Sequence, residues 1–136
     1  MQLNRKGILL LLIAVATAMI TADAVVAIED TTPKKLLRSS AAVSGVIGGE
    51  AHDSYAVQAR KGQKLTVQIV WQRKQNNRAE FTVSDSPNFF AAAQVRFGHA
   101  TQKGTHWSGR VPKNGNYYIY VVAHPSAHYT ISVNVR

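Results

Sequence analysis

The chain has 136 residues, contains no cysteine, and carries a formal net charge of +9 from 16 Lys and Arg residues against 7 Asp and Glu residues. The lack of cysteine excludes disulfides, thiol catalysis and cysteine-ligated metal sites, and the length allows one domain. The positive charge favours an acidic protein or a cell-wall polymer as partner, with solubility alone as the other explanation.

The N-terminus has the pattern of a secretory signal peptide, predicted to cover residues 1–27. Two basic residues precede an uncharged apolar run at residues 8–20. Small residues then provide cleavage sites after Ala24 and after Ala27. Because a membrane-spanning helix needs about 20 residues, an uncleaved anchor is the less favoured alternative. The pattern therefore predicts a periplasmic or secreted protein without stable membrane insertion, for which nucleic acid is not an expected partner.

The remaining chain is predicted to consist of an arm and one folded domain. Residues 28–40 have no sustained period and include Pro33, so we expect a flexible N-terminal arm. From residue 41 to residue 136, apolar and polar residues alternate in short runs, which indicates β-strands. The first strand is expected at residues 43–47, and the glycine pair that follows it marks a turn.

The clearest pattern lies at residues 54–71. Apolar residues alternate with polar ones before and after Lys61-Gly62, from Tyr55 to Trp71. Because side chains of a strand have a period of two, this pattern predicts two strands that each bury one face. Gly62 can supply the positive φ that a short connection requires, so we expect a β-hairpin.

Five further strands with the same alternation are expected. They are predicted at residues 80–84, 94–97, 105–111, 116–123 and 128–135. Residues 72–78 and 98–104 are predicted loops, and residues 89–93 fit a bend or a short helix. Seven to eight short strands without a long helix indicate an all-β fold, either a sandwich or a barrel. We predict an antiparallel, Greek-key-like β-sandwich.

Three stretches of the sequence carry a family resemblance. They are SGVIGGEAHDSYAVQARKGQKLTVQI at 44–69, WSGRVPKNGNYYIYVVA at 107–123 and HYTISVNV at 128–135. In order they contain Gly-x-Ile, Asp-x-Tyr, Lys-Gly-Gln, Gly-x-Tyr and Tyr-x-x-x-Val. This order resembles the bacterial pre-peptidase C-terminal β-sandwich domain and the periplasmic inhibitors of goose-type lysozyme.

The resemblance implies a non-enzymatic protein that blocks the active-site cleft of a goose-type lysozyme. In that family, arginines are expected in the loop before the last strand, whereas residues 124–127 here are His-Pro-Ser-Ala. We therefore expect the hydrogen-bond donors in residues 72–78, called the basic loop below, because an Arg fork matches a carboxylate. The predicted donors are Arg73, Lys74 and Arg78.

Two tyrosines, Tyr118 and Tyr120, are predicted to extend this partner-binding patch, because Tyr and Arg dominate binding hot spots. The alternative is that both tyrosines pack under a loop. A cell-wall or carbohydrate-binding module is the second functional hypothesis, and a scaffolding role in the cell envelope is the third.

Catalysis and metal binding are not predicted. Glu50 and Asp53 are close in sequence, but Asp53 fits a turn better than a pair of catalytic carboxylates. The five histidines have no metal-ligand spacing, and no Gly-x-Ser-x-Gly motif occurs. We expect no cofactor.

Overall fold

The structure is a computed structural model that describes residues 28–136. The predicted signal peptide and its cleavage sites lie outside the described residues. Within them, no helix has the length and hydropathy needed to cross a membrane. The described chain forms nine strands: β1 Lys34–Leu37, β2 Ser40–Gly48, β3 Asp53–Ala59, β4 Lys64–Trp71, β5 Arg78–Ser84, β6 Gly98–Thr101, β7 His106–Arg110, β8 Gly115–His124 and β9 Ser126–Val135. Two 3₁₀ helices are present at Phe89–Ala91 and Gln102–Gly104.

The strands form two sheets that pack on a shared core. One sheet has the order β1-β3-β8-β5, and the other has the order β2-β9-β4-β7-β6. Strands β1 and β3 run parallel, and the other neighbouring pairs are antiparallel. The predicted all-β antiparallel sandwich is confirmed, with nine strands in the described part of the chain where seven to eight were expected.

A single apolar cluster joins the two sheets. Val57 and Ile119 enter it from the four-stranded sheet, and Leu65, Ile69 and Ile131 enter it from the five-stranded sheet. On β4 and β9 the buried side chains alternate with more exposed residues, as a period of two requires, whereas β3 and β8 bury residues on both faces. Burying each of them contributes about 1.5–3 kcal/mol, so the fold is held by its core without disulfides.

The predicted hairpin at residues 54–71 is wrong, although both of its strands exist. Strand β3 pairs with β1 and β8, whereas β4 pairs with β7 and β9 in the other sheet. Gly62 has the predicted positive φ, 89°, but its N–H donates to the Val111 carbonyl at 2.8 Å. Two strands that face one core from opposite sheets have the same apolar alternation as a hairpin, so the pattern does not distinguish them.

The predicted flexible arm contains a strand and a buried carboxylate. Strand β1 pairs with residues Ser54 to Val57 of β3, and Leu37 is buried. Asp30 is also anchored, with its side chain 1% exposed. Four residues are too few to show a period, which is why the sequence pattern missed this strand.

The segment after the 3₁₀ helix Phe89–Ala91 also differs from the prediction. Residues 94–97 form no strand, although the Val95 N–H donates to the Val83 carbonyl at 2.9 Å. The next strand is instead β6, which begins at Gly98, in the stretch predicted as a loop. Strand β6 is short and mostly exposed at the edge of its sheet, so it lacks the apolar alternation that marks a strand in sequence.

Candidate functional site

The basic loop is held in one conformation by Asn77. Its side-chain amide donates to the Gln72 carbonyl at 2.9 Å, and its side-chain oxygen accepts from the Lys74 N–H at 2.9 Å. The Asn77 N–H also donates to the Lys74 carbonyl at 2.8 Å. Gln75 and Asn76 have positive φ values of 37° and 62°, which close the turn between these bonds. The loop is therefore ordered by hydrogen bonds, although its basic side chains are exposed.

The basic loop lies directly beside the connection between β8 and β9. The Asn77 side chain donates to the Ser126 carbonyl at 3.2 Å, and the Gln72 N–H donates to the His128 carbonyl at 2.9 Å. Arg78, the first residue of β5, pairs with His124 on β8. The His124–Pro125 peptide bond is cis. The arginine-free turn at residues 124–127 and the basic loop therefore share one end of the sandwich.

The three predicted donors have different surroundings. The Arg73 guanidinium lies 4.6 Å from the centre of the Trp71 ring, in cation–π contact. Arg78 forms an exposed ion pair with Glu80 at 3.6 Å, which solvent weakens. Lys74 is exposed at the surface of the loop. Arg73 is thus the donor whose direction the structure fixes best.

A groove with a volume of about 890 Å³ opens next to the basic loop, between the β5 edge of one sheet and the β6–β7 side of the other. Trp71 and Trp107 line it, and Arg73, Arg78 and Lys103 add positive charge. The Trp71 indole Nε1 is buried and has no hydrogen-bond partner among the described residues. Aromatic surface beside basic side chains suits a polar or anionic ligand. The sequence pattern gave no sign of Lys103, which folding brings to this groove from the stretch after β6.

Tyr118 and Tyr120, the two predicted tyrosines, do not lie at the end of the sandwich that carries the basic loop. Tyr120 is 1% exposed, and its hydroxyl donates to the Ser86 carbonyl at 2.6 Å. Burial raises the pKa of Tyr120 to about 12, with the nearby charge of Asp30 adding to the effect. Tyr118 is half-buried and stacks against Tyr120 at 6.5 Å. Tyr120 is four residues from His124, so it lies roughly 13 Å along β8 from the basic-loop end. Its side chain is packed inside the protein, as in the alternative in which both tyrosines pack under a loop.

Tyr120 is covered by a cluster around Asp30, which we call the Asp30 latch. One Asp30 oxygen accepts from the Thr32 N–H at 3.0 Å and from His52 Nε2 at 3.1 Å, and the other accepts from the Phe89 N–H at 3.2 Å. The His52 ring stacks on Phe89 at 3.8 Å. Burial raises the pKa of Asp30, but the backbone donors outweigh it and bring the pKa to about 2. The latch fastens the N-terminal segment to the four-stranded sheet.

The motifs that carry the family resemblance meet in a buried network. The Tyr129 hydroxyl donates to Asp53 Oδ2 and is also hydrogen-bonded to the Tyr55 hydroxyl. Burial raises the pKa of Tyr129, and its bond to Asp53 raises it further. A Cβ atom on Gly45 would lie 2.8 Å from the Tyr129 oxygen, so this position requires glycine. Asp53 therefore bonds a distant strand residue, where the sequence predicted a role in a turn. Residues 28–136 contain no cluster of three or more acidic or histidine side chains that could hold a metal ion.

Comparison with known proteins identifies relatives of this fold. PliG of Aeromonas hydrophila, a periplasmic lysozyme inhibitor of g-type lysozyme, is 22% identical; the match covers 76% of this chain and 100% of that one, with a TM-score of 0.57. The chain shares the fold of PliG. Salmonella Typhimurium PliG is 21% identical over 75% of this chain and 98% of its own, with a TM-score of 0.50.

A third solved structure links the fold to an enzyme-attached domain. The pre-peptidase C-terminal domain of collagenase from Bacillus anthracis is 17% identical over 80% of this chain and 100% of its own, with a TM-score of 0.53. No protein-family model and no curated protein matches the sequence. The resemblance to PliG and to the pre-peptidase C-terminal domain is therefore confirmed at the level of fold.

Proposed function

We propose that this protein is an exported inhibitor that blocks the active-site cleft of a goose-type lysozyme with its basic loop. The observation that carries the proposal is the position of the loop. It lies beside the β8–β9 connection, bonded through Asn77 to Ser126, in a chain that shares its fold with lysozyme inhibitors. Arg73 and Arg78 take the place of the donors that residues 124–127 lack.

The chemistry of the partner favours such a loop. A lysozyme cleft contains at least one catalytic carboxylic acid and accommodates a sugar chain. An arginine inserted there would pair with the carboxylate and exclude the substrate. The hydrogen bonds of Asn77 hold the loop in place before binding, so little conformational entropy is lost on association. Cleavage after Ala27 would leave 14 basic and 6 acidic residues, a net charge of +8 that attracts an acidic cleft.

Inhibition assays test the proposal directly. The exported protein should lower the rate at which a goose-type lysozyme clears a suspension of bacterial cell walls, at a near-stoichiometric ratio. Chicken-type and invertebrate-type lysozymes, measured in the same way, define the selectivity. Undiminished lysis by all three enzymes at about tenfold excess of the protein would reject the proposal, because a cleft-blocking complex is tight enough to act well below that ratio.

Binding to cell-wall glycan is the second candidate function, and the groove beside the basic loop favours it. Trp71 is half-buried in the groove wall, and its indole N–H lacks a partner among the described residues. Stacking of sugar rings on Trp71 would persist in moderate salt, whereas attraction by charge alone would not. Retention on insoluble peptidoglycan that survives added salt and is lost in Trp71→Ala would favour this candidate over the inhibitor.

A further inference from the structure

Strand β2 forms an unprotected edge of the five-stranded sheet. Proteins protect edge strands with charged residues, proline, bulges or short length. Strand β1 carries two lysines, β5 carries Arg78 and Glu80, and β6 has four residues. Strand β2 has nine residues, Ser40–Gly48, with no charge and no proline, and it pairs with β9 without a bulge. No described residue pairs with its outer side.

The hydrogen bonds to β9 show which groups of β2 point outward. The Val135 N–H donates to the Ser39 carbonyl at 2.6 Å, and the Gly49 N–H donates to the Pro125 carbonyl at 2.9 Å. In an antiparallel ladder, such bonded pairs recur at every second residue. The odd-numbered residues of β2 therefore bond to β9. Their even-numbered neighbours direct N–H and C=O groups away from β9, to the open side of the sheet.

We infer that this edge pairs with β2 of a second copy of the chain, in a symmetric antiparallel dimer. Full overlap of the two strands places Ser44 opposite itself and Ala42 opposite Val46 of the copy. These outward-pointing residues would form about six hydrogen bonds between the two chains. Val46, which is 61% exposed in one copy, would pack beside Ala42 of the other.

The charges that flank β2 favour a second copy over an unrelated strand. Arg38 precedes the strand and Glu50 follows it, and both are exposed. In the register of full overlap, Ser40 of one copy lies opposite Gly48 of the other, so Arg38 of one copy and Glu50 of the other come to the same end of the interface. The two-fold symmetry repeats this pairing, so one Arg38–Glu50 pair closes each end of the interface. No other register combines full overlap of the strands with this pairing of charges.

The dimer would leave both candidate sites open. The Gly48 end of β2 pairs with Ser126, next to the basic loop. Because the two β2 strands run in opposite directions, the two basic loops would lie at opposite ends of the dimer. The inference is independent of the proposed function, since it depends on β2 alone.

Sedimentation of the exported protein from about 1 µM to about 500 µM tests the inference, and a dimer is expected within this range. Ser44→Pro should weaken dimerisation at least about tenfold, because proline removes an N–H that faces the open edge. Its far-ultraviolet circular dichroism and melting temperature should stay close to those of the parent. Val46→Lys places a charge at the edge and should act in the same way, as a check that does not depend on proline.

A charge-swap experiment tests the register. Arg38→Glu and Glu50→Arg should each weaken the dimer, and the double variant Arg38→Glu, Glu50→Arg should restore it. A monomer at every concentration overturns the inference, as does a dimer that Ser44→Pro and Val46→Lys leave unchanged. A monomer that instead captures a strand from another protein also overturns it, because the occupant would then not be a second copy.

Discussion

The two ends of the sandwich both carry basic residues but differ in construction. Strand β8, with ten residues, spans the roughly 30 Å between them. The basic-loop end holds Arg73, Lys74 and Arg78. The other end, called the Gly62 end here, holds more basic residues, among them Arg60, Lys61, Lys64, Arg110, Lys113 and Arg136. Positive charge alone therefore does not distinguish the candidate site.

The stacking of an arginine on tryptophan, and the three side-chain bonds made by a single residue, do distinguish it. At the basic-loop end, Arg73 lies on Trp71, and Asn77 makes three side-chain hydrogen bonds to the loop and its neighbour. At the Gly62 end, four different side chains each make one such bond. Asn114 accepts from the Lys61 N–H at 2.8 Å, and Gln63 accepts from the Arg60 N–H at 2.7 Å. Arg110 donates to the Gly62 carbonyl at 2.6 Å, and Tyr117 donates to the Lys113 carbonyl at 2.8 Å. One groove there, of about 490 Å³, has no aromatic residue in its lining, whereas a second, of about 360 Å³, is lined by Phe97 and Tyr117 beside Lys113. A binding surface needs positioned donors beside apolar area, and at the basic-loop end Arg73 and Trp71 provide both in one groove.

The largest expected effect tests this difference in partner binding. The double variant Arg73→Ala, Arg78→Ala should weaken lysozyme binding by at least ~2 kcal/mol, or about 30-fold, because positioned arginines act as anchors. The matched control Lys61→Ala, Lys113→Ala removes the same charge at the Gly62 end and should change the inhibition constant less than about threefold. Equal losses in both variants would show that net charge, and not the basic loop, attracts the partner.

The Asp30 latch lies at neither end and provides a reference for pH dependence. The pKa of the Asp30 carboxyl group is about 2, below the ordinary value of 3.8, so the folded state favours the ionised form. This stabilisation is complete above pH 4 and is lost as the pH falls toward 2. The wild type should therefore lose about 2 kcal/mol of unfolding free energy through this group between pH 5 and pH 2. In Asp30→Asn, urea titrations should show an unfolding free energy that changes less between pH 5 and pH 2, by that amount. The same change in both proteins would contradict the assignment of the low pKa to Asp30.

The two asparagines offer a matched pair for stability. Asn77→Ala removes three side-chain hydrogen bonds, and Asn114→Ala removes one. We expect a loss of about 1–2 kcal/mol for Asn77→Ala and about half of that for Asn114→Ala, since exposed bonds contribute modestly. Thermal unfolding followed by circular dichroism measures both. The opposite order would mean that Asn77 stabilises its loop less than Asn114 stabilises its turn.

A similarly small effect is expected from the turn at the Gly62 end. Gly62 has φ 89°, but a Cβ atom there would meet no other atom within 4 Å. Gly62→Val should therefore cost ~1 kcal/mol, through backbone strain alone. Denaturation midpoints measure this loss, and lysozyme inhibition should be unaffected. An unchanged midpoint would show that the turn tolerates the substitution by relaxing.

The sequence predicted the elements of the sandwich better than their partners. Alternation located β4, β8 and β9, because each buries one face along seven or more residues. Turn chemistry predicted the positive φ of Gly62. The same alternation does not show that β3 and β4 belong to different sheets. A hairpin within one sheet and two strands in opposite sheets would bury the same residues. The edge strands β1 and β6 were missed because four residues do not establish a period.

The candidate site depended on tertiary structure in two ways. The sequence by itself determined which residues could donate hydrogen bonds to an acidic cleft, because side-chain chemistry is local. Folding placed Arg73 and Arg78 next to the β8–β9 connection, through a bond between Asn77 and Ser126, residues 49 positions apart. Folding also buried Tyr120 under Phe89 and His52, which reach it from distant segments. Alternation predicts which side of a strand a residue faces, but only long-range packing decides whether another segment covers that side.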